Sequence, residues 1–258
     1  MTDSNPLVQT AILESGSIWR VTFGASKGNV LDAALVSELT ALFRKAALDR
    51  HLKAIVLEGQ GRHFSFGASV EEHLPATAAA MLQGLHGLLL RMLAFPVPIL
   101  VAIRGQCLGG GLELATSGHL LFAAPEARLG QPEVQVGVFP PAASCLLPER
   151  IGRAAAEDLL FSGRAVDGRE ALRLGLVNAV ADDPEAAALA YFDEHLARRS
   201  AAVLRHGVAA ARCDLVERVR LKLRDVEQRY LGGLMATRDA LEGLEAFLQK
   251  RPPRWEDR

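Results

Sequence analysis

The chain has 258 residues and a mass of 27.7 kDa; 50% of the residues are hydrophobic and 23% are charged. That balance is typical of a folded globular protein and excludes disordered, collagen-like and coiled-coil chains. The formal net charge of −1 gives no overall field that would attract nucleic acid. Three cysteines without a CxxC pair, together with a polar amino terminus, predict a cytoplasmic protein without a disulfide framework.

Strands and helices alternate in the first half of the predicted chain. Two apolar runs at residues 8–14 and 18–23 flank the turn signal Ser15-Gly16-Ser17 and predict a hairpin. The further predicted elements are, in order, a helix over 31–50, a strand over 54–58, a helix ending near Ala94, a strand over 99–103, a loop over 105–111, a helix from Leu112 and a strand over 120–123. This alternation indicates an α/β layer with parallel strand pairing.

One apolar stretch, residues 81–103, is long enough to cross a bilayer. It contains His86 and Arg91, and Pro96 and Pro98 interrupt it. An arginine near the centre of a bilayer costs about 3 kcal/mol. We therefore predict a helix, a proline-marked break and a buried strand in this stretch, and no membrane segment.

The character of the chain changes beyond Pro140. Alanine, leucine and arginine dominate with helical spacing, and residues 176–180 form the one further strand candidate. Residues 1–195 carry 15 basic and 21 acidic side chains, whereas residues 196–258 carry 14 and 9. We predict an α/β core over 1–195 and a helical segment over 196–258. The basic segment could meet phosphate, although a solvated helical face is the more usual reason for such charge.

Three short patterns suggest chemistry but lack the context that it needs. Residues 24–28 match the G-x-S-x-G of serine hydrolases, yet such an elbow follows an assembled sheet and only a hairpin precedes Ser26. The loop over 105–111 has no Gly-Lys-Ser/Thr, and Leu114 occupies the last glycine position of a dinucleotide fingerprint. Glu71-Glu72-His73 is more typical of a polar helix start than of a metal site, and we predict no metal.

The segment Gly109-Gly110-Gly111 follows a predicted buried strand and opens a helix. Such glycines let backbone N–H groups approach a ligand, which would form an anion site or an oxyanion hole. Close packing of the helix on the sheet explains them equally well. Glu113 lies in an apolar run and Glu133 follows 20 residues later, and two partly buried carboxylates can divide acid and base work. A surface position for Glu133 is the alternative, and the residue pattern leaves it open.

Five segments, taken in order, resemble the crotonase, or enoyl-CoA hydratase/isomerase, superfamily. They are KGNVLD at 27–32, HFSFGAS at 63–69, GQCLGGGLEL at 105–114, LGQPE at 129–133 and EGLEAFLQKR at 242–251. The resemblance implies an α/β fold with a crotonase-like ββα spiral core and a C-terminal helical trimerisation segment. It also implies an acyl-CoA hydro-lyase that forms a homotrimer or a dimer of trimers.

The same resemblance implies roles for single residues. The backbone N–H groups of Ala68 and Gly110 would form the oxyanion hole that holds the thioester oxygen. Glu113 and Glu133 would hold and activate one water molecule. Substrate-binding positions are implied at Lys27, Val30, Phe66, Ser69, Pro141, Phe247 and Lys250. Coenzyme A is then part of the acyl-CoA substrate, and we expect no separate cofactor, no nucleic acid and no membrane partner.

Three departures from the family pattern lie in segments that, by the resemblance, line the acyl group of the substrate. Ser69 stands where most relatives have aspartate, Phe66 is bulkier than the usual small residue, and Pro140-Pro141 replaces a Pro-Gly pair. Because Pro141 has no N–H, one donor near the usual water position is missing. The combination of FSFGASVEEH with both glutamates most resembles family members that hydrate a cyclic conjugated dienoyl-CoA. The alternatives are a straight-chain 2-enoyl-CoA hydratase, a non-catalytic protein that contacts RNA through its basic segment, and a serine hydrolase that uses Ser26.

Overall fold

Nine strands and nine α-helices are found in residues 6–24 and 28–258, the part of the chain described by the computed structural model. The strands are β1 (Val8–Leu13), β2 (Ile18–Phe23), β3 (Ala54–Gly59), β4 (Ile99–Ile103), β5 (Gln106–Leu108), β6 (Leu120–Ala123), β7 (Arg128–Gly130), β8 (Ala165–Val166) and β9 (Ala179–Val180). The helices are α1 (Ala33–Leu48), α2 (Ala78–Leu93), α3 (Gly110–Ser117), α4 (Ala143–Ile151), α5 (Arg153–Ser162), α6 (Gly168–Arg173), α7 (Pro184–Tyr191), α8 (Ala201–Gln228) and α9 (Arg238–Leu248). Short helical turns span Glu71–His73 and Pro132–Val136.

Six strands form the larger sheet, in the order β1-β2-β3-β4-β6-β9. β1 and β2 are the predicted hairpin and run antiparallel, with Val8 opposite Phe23, whereas the pairs from β2 to β9 are parallel. Every residue of β4 is buried and apolar, as parallel strands covered on both faces require. Helices α1, α2 and α3 make the crossovers between the first four parallel strands.

The second sheet is small and consists of β5, β7 and β8 in that order. β5 runs parallel to β7, with Cys107 opposite Leu129, and β8 pairs antiparallel with β7. A further bridge joins Leu31 to Ala68. This sheet therefore gathers the ends of segments that lie far apart in the chain. The predicted α/β class with a helical C-terminal segment is confirmed.

Element boundaries follow local sequence signals. α1 begins after Asp32, whose carboxylate accepts a hydrogen bond from the Leu35 N–H at 2.9 Å, so the helix is shorter than the predicted 31–50. The prediction of a loop over 105–111 is wrong, because this stretch contains β5 and α3 already starts at Gly110. Strands as short as β5 and β8 are too brief to show the two-residue periodicity on which a prediction depends.

The apolar stretch 81–103 divides as predicted into α2 and β4. Within the described ranges, no helix combines the length and the apolar character that a membrane crossing needs.

The C-terminal helices pack on the core. α8 contacts α2 and α4, and α9 contacts the turn Pro132–Val136. Val219, Leu223 and Tyr230 belong to the same buried hydrophobic cluster as the residues of the larger sheet. The segments 1–195 and 196–258 therefore share one core, and the division between them stays a prediction.

A tail follows α9 and folds back over the start of that helix. The carbonyl oxygen of Arg258 accepts a hydrogen bond from the Arg238 N–H at 2.8 Å. The Asp239 carboxylate accepts hydrogen bonds from the N–H groups of Glu256 and Asp257 at 2.7 and 2.8 Å. The tail is thus fastened to the first turn of α9.

Candidate active site

The predicted oxyanion and carboxylate residues line one cavity of about 450 Å³. Ala68 comes from the segment that follows β3, Gly110 and Glu113 from the first turn of α3, and Glu133 from the turn Pro132–Val136. Much of the remaining wall is apolar and includes Met81, Leu82 and Leu85 of α2, Val136, Val138 and Phe139 after β7, and Leu244 and Phe247 of α9. The structure thus brings together residues from five separated segments.

Two backbone N–H groups point to an oxyanion hole. A Cβ atom added to Gly110 would lie only 3.0 Å from the nitrogen of Ala68, so glycine is needed for the two backbones to lie this close. In residues 6–24 and 28–258, neither N–H donates a hydrogen bond to another group. Gly110 is the first residue of α3, where N–H groups lack intrahelical acceptors and the helix dipole favours negative charge.

Gly109 lets a carboxylate lie against the start of α3. Its φ of +51° is a backbone conformation that favours glycine. A Cβ atom at this position would lie 2.6 Å from Oε1 of Glu133. The carboxylate of Glu133 is therefore packed against Gly109 in the cavity wall, and its side chain is half-buried rather than fully solvated.

Glu113 is only 3% exposed, and its Oε1 accepts a hydrogen bond from the Ala143 N–H at 2.7 Å. Burial raises the pKa of Glu113 because it penalises the charged form. The charge of His86 and the N–H groups of Ala143 and Ala142 oppose that rise. Glu113 therefore has stabilising partners for a negative charge.

Glu133 has a different environment. Burial first, and then the negative charge of Glu113, raise the pKa of Glu133 well above its usual value. With its nitrogen turned to the site, the amide of the buried Gln131 donates to both Glu133 oxygens at 3.0 Å. Both carboxyl groups therefore have raised pKa values, and the negative charge of Glu113 opposes the ionisation of Glu133.

Three of the predicted substrate-binding side chains line this cavity. Phe66 and Phe247 are 47% and 54% exposed and lie at its rim. Pro141 lies in its wall, directly before the two residues whose N–H groups face Glu113.

Val30, Ser69 and Lys250, three other predicted substrate-binding residues, do not line the cavity. Val30 and Lys250 are on the surface. Ser69 is buried, and its hydroxyl donates to the carboxylate of Glu71 at 3.1 Å. Lys27 lies outside the described residues, as does Ser26 of the rejected hydrolase pattern.

Four further polar groups near the site were not predicted. Nδ1 of the buried His86 lies 2.5 Å from Oε1 of Glu227. Tyr230 is fully buried, and burial followed by the charges of Glu133 and Glu113 raises its pKa. His73 lines the cavity itself. Glu227 and Tyr230 are three residues apart and share one face of the helical segment, but sequence spacing does not reveal what that face meets.

The acidic pair Glu71-Glu72 has local partners. The Glu71 carboxylate accepts the Ser69 hydroxyl, and that of Glu72 accepts the Ala33 N–H at 3.1 Å. Among the residues described, His, Cys, Asp and Glu side chains nowhere form a group of three that could hold a metal ion.

Comparison with known proteins agrees with this arrangement. The sequence profile of the enoyl-CoA hydratase/isomerase family matches residues 14–258. The chain therefore belongs to the enoyl-CoA hydratase/isomerase family, and the membership predicted from the five segments is confirmed.

Individual relatives cover the chain almost completely. It is 54% identical to the cyclohexa-1,5-dienecarbonyl-CoA hydratase of Thauera aromatica over 258 residues, which is 100% of both chains. It is 35% identical to a probable enoyl-CoA hydratase of Bacillus subtilis over 237 residues, covering 88% of this chain and 90% of that protein. Among solved structures, an enoyl-CoA hydratase from Mycobacterium avium matches with a TM-score of 0.87 at 27% identity, covering 97% of this chain and 99% of that one.

Proposed function

We propose that this protein adds water to cyclohexa-1,5-diene-1-carbonyl-CoA, giving 6-hydroxycyclohex-1-ene-1-carbonyl-CoA, in the anaerobic degradation of benzoyl-CoA. The full-length identity of 54% to the Thauera aromatica enzyme carries this proposal. The cavity supports it, because two carboxylates and two N–H groups face one space large enough for a ring. Two carboxyl groups with raised pKa values in one cavity favour a catalytic function over a binding function alone.

The thioester end activates the substrate. The N–H groups of Ala68 and Gly110 donate to the thioester oxygen and stabilise the negative charge that develops on it. The Glu113 carboxylate takes a proton from water, and the water oxygen bonds to ring carbon 2, which is β to the thioester carbonyl. The electron pair of the bond between carbons 1 and 2 moves to the thioester oxygen and gives a dienolate.

Collapse of the dienolate completes a 1,4-addition. Its electrons restore the thioester carbonyl and form a double bond between carbons 1 and 6, while carbon 5 takes a proton from Glu133. In product numbering, the carbon that bears the hydroxyl is carbon 6. The pair of glutamates began with one proton and ends with one, now on Glu113, so a proton transfer between them restores the starting state.

Several finer assignments are part of the proposal. Phe66, Pro141 and Phe247 contact the acyl end, since all three line the cavity. By family resemblance, Lys27, Val30 and Lys250 belong to segments that bind the CoA portion, and Ser69 belongs to a segment at the acyl end. The chain works without a separate cofactor and as a homotrimer or dimer of trimers. Its cysteines, Cys107, Cys145 and Cys213, are all free, which supports the reducing cytoplasm as its location.

A comparison of kcat/KM for two thioesters tests the proposal. One enzyme preparation is assayed with cyclohexa-1,5-diene-1-carbonyl-CoA and with crotonyl-CoA, and we expect the cyclic diene to be preferred by about 10- to 200-fold. The Glu113→Gln variant, assayed in parallel, shows that the turnover belongs to this site. A higher value for crotonyl-CoA would favour a straight-chain hydratase, which the resemblance to the Bacillus subtilis relative supports.

A further inference from the structure

The turn Glu71–His73 sends one of its three polar side chains into the cavity. The carboxylates of Glu71 and Glu72 accept hydrogen bonds from Ser69 and Ala33 and lie outside the cavity lining. His73 instead lines the cavity together with Glu113 and Glu133. The function derived so far does not use this imidazole.

Hydrogen bonding fixes the state of the His73 ring. Nδ1 lies 2.7 Å from the carbonyl oxygen of Ser69, which can only accept, so Nδ1 carries the hydrogen. Burial lowers the pKa of His73, although the Ser69 contact and the charge of Glu72 oppose the shift, and the ring is neutral at pH 7. Nε2 therefore presents a lone pair, and no group in residues 6–24 and 28–258 donates to it.

Few polar side chains other than His73 line the cavity. The other polar side chains that line the cavity are Glu113, Glu133 and Gln135. The proposed mechanism uses the two glutamates for the water, while Gln135 is exposed and its amide donates to the carbonyl oxygen of Gly163 at 3.0 Å. The rest of the lining consists of apolar side chains and glycines. A neutral acceptor in such a wall implies a ligand that carries a hydrogen-bond donor.

The acyl group acquires such a donor only when water has been added. The cyclic diene has no polar atom on its ring, whereas the product has one hydroxyl group. The ring of His73 lies 6.5 Å from that of Tyr230, and the charges of both glutamates act on the Tyr230 phenol. His73 and the two glutamates thus line one cavity and all three have Tyr230 as a neighbour.

We propose that His73 is a specificity-determining residue whose Nε2 accepts a hydrogen bond from the ring hydroxyl of the hydrated acyl-CoA. This inference rests on the proposed hydratase function, because it needs a hydroxylated ring beside the glutamates. The site then binds a ring that bears a hydroxyl group more tightly than the same ring without one.

Two substitutions of His73 test the roles of the two ring nitrogens separately. His73→Asn keeps a polar group where Nδ1 meets Ser69 but leaves nothing at the position of Nε2. His73→Gln places a polar atom at the position of Nε2 and gives up the Ser69 contact. A purely structural role for His73 predicts damage in the Gln variant, whereas acceptance of a ring hydroxyl predicts damage in the Asn variant.

Binding is measured by isothermal titration with two ligands that do not react. They are the CoA analogues of cyclohexanecarboxylic acid and of 2-hydroxycyclohexanecarboxylic acid in which NH replaces the thioester sulfur, since an amide is too weakly acidic at its α-carbon for elimination. One neutral hydrogen bond corresponds to about a three- to tenfold change in Kd. We expect His73→Asn to raise the Kd of the hydroxylated ligand by that factor and to leave the Kd of the ligand without a hydroxyl unchanged. His73→Gln should retain much of the wild-type preference for the hydroxylated ligand.

The exposed His195 gives the matched control, and His195→Asn should bind both ligands like the wild type. Thermal unfolding of each variant shows that it is folded. Full retention of the hydroxyl preference in His73→Asn, or an equal loss for both ligands, overturns the inference. If the wild type hydrates the cyclic diene but this preference does not depend on His73, only this inference fails. If the wild type hydrates neither the diene nor crotonyl-CoA, the proposed function fails, and this inference with it.

Discussion

The two ends of the cavity are built in different ways. At one end, the residues proposed to carry the reaction, Ala68, Gly110, Glu113 and Glu133, come from short segments that follow β3, β5 and β7. At the acyl end, the wall combines side chains of α2, α9 and the turn Glu71–His73. We therefore expect the reaction to depend on the geometry within a few short segments, whereas the choice of acyl group should depend on the packing of elements that are distant in the chain. Substitutions at the first end should abolish turnover, and those at the second should adjust it.

The largest expected effect is at the carboxylates. Glu113→Gln and Glu133→Gln should each lower kcat by about 100- to 10,000-fold, because each removes a proton-transfer group. The double variant should lose far less than the product of the two, since the glutamates act on one water molecule. The matched control is Glu58→Gln, which changes a buried glutamate of β3 outside the cavity. Wild-type turnover in either single variant would contradict the two-carboxylate mechanism.

Gly110→Pro should have the next largest effect. It deletes the N–H offered to the thioester oxygen, and the loss of one such donor costs roughly 3–4 kcal/mol of transition-state stabilisation. Gly110→Ala keeps the N–H but brings a Cβ within 3.0 Å of the Ala68 nitrogen, so its loss should be smaller. Steady-state kinetics and circular dichroism of both variants test this order. A folded, fully active proline variant would place the donor elsewhere.

His86 should affect the pH profile more than the maximal rate. Its charge lowers the pKa of Glu113, so His86→Gln raises that pKa and Glu113 needs a higher pH to ionise. In His86→Gln, the acidic limb of the kcat/KM profile should move to higher pH. On that limb kcat/KM should fall by about tenfold at most, and at higher pH it should return to the wild-type value.

The control for that profile is Arg218→Gln, which removes an exposed partner of Glu149 far from the cavity lining. Its profile should match that of the wild type. A uniform loss of activity in His86→Gln at every pH would mean that His86 only holds α2 and α8 together.

Tyr230→Phe should have the smallest effect on turnover and a positive effect on stability. The buried Tyr230 hydroxyl has no hydrogen-bond partner in the described ranges, and such a group costs about 1–3 kcal/mol. We expect the free energy of unfolding in urea to rise by about 1 kcal/mol, with kcat changed only a few-fold. Tyr191→Phe is the control, because the Tyr191 side chain is only partly buried. A clear loss of stability in Tyr230→Phe would show that the phenol has a partner in solution.

The same contrast explains what the sequence could reveal. The hairpin and the strand Ile99–Ile103 were predictable from apolar runs and turn signals, and both glutamates lie in family segments. β5 was missed because three residues carry no periodic signal.

His73 and Tyr230 could not be recognised as neighbours of the site because 157 positions separate them in the chain. Their contact arises when the helical segment packs on the core, and no pattern within either segment specifies that packing. Position in a family segment does not fix the direction of a side chain either: the Ser69 hydroxyl donates to the neighbouring Glu71 carboxylate.

The tail after α9 has a practical consequence. Arg258 is tied to the first turn of α9, and in the same helix the packing of Gly243 is so close that a Cβ would lie 2.4 Å from the carbonyl oxygen of Val136. Val136 ends the short turn that carries Glu133. A purification handle or fluorescent reporter fused after Arg258 would therefore strain the tail and, through α9, the turn that carries Glu133. The activity of such fusion proteins would show how firmly that turn is held.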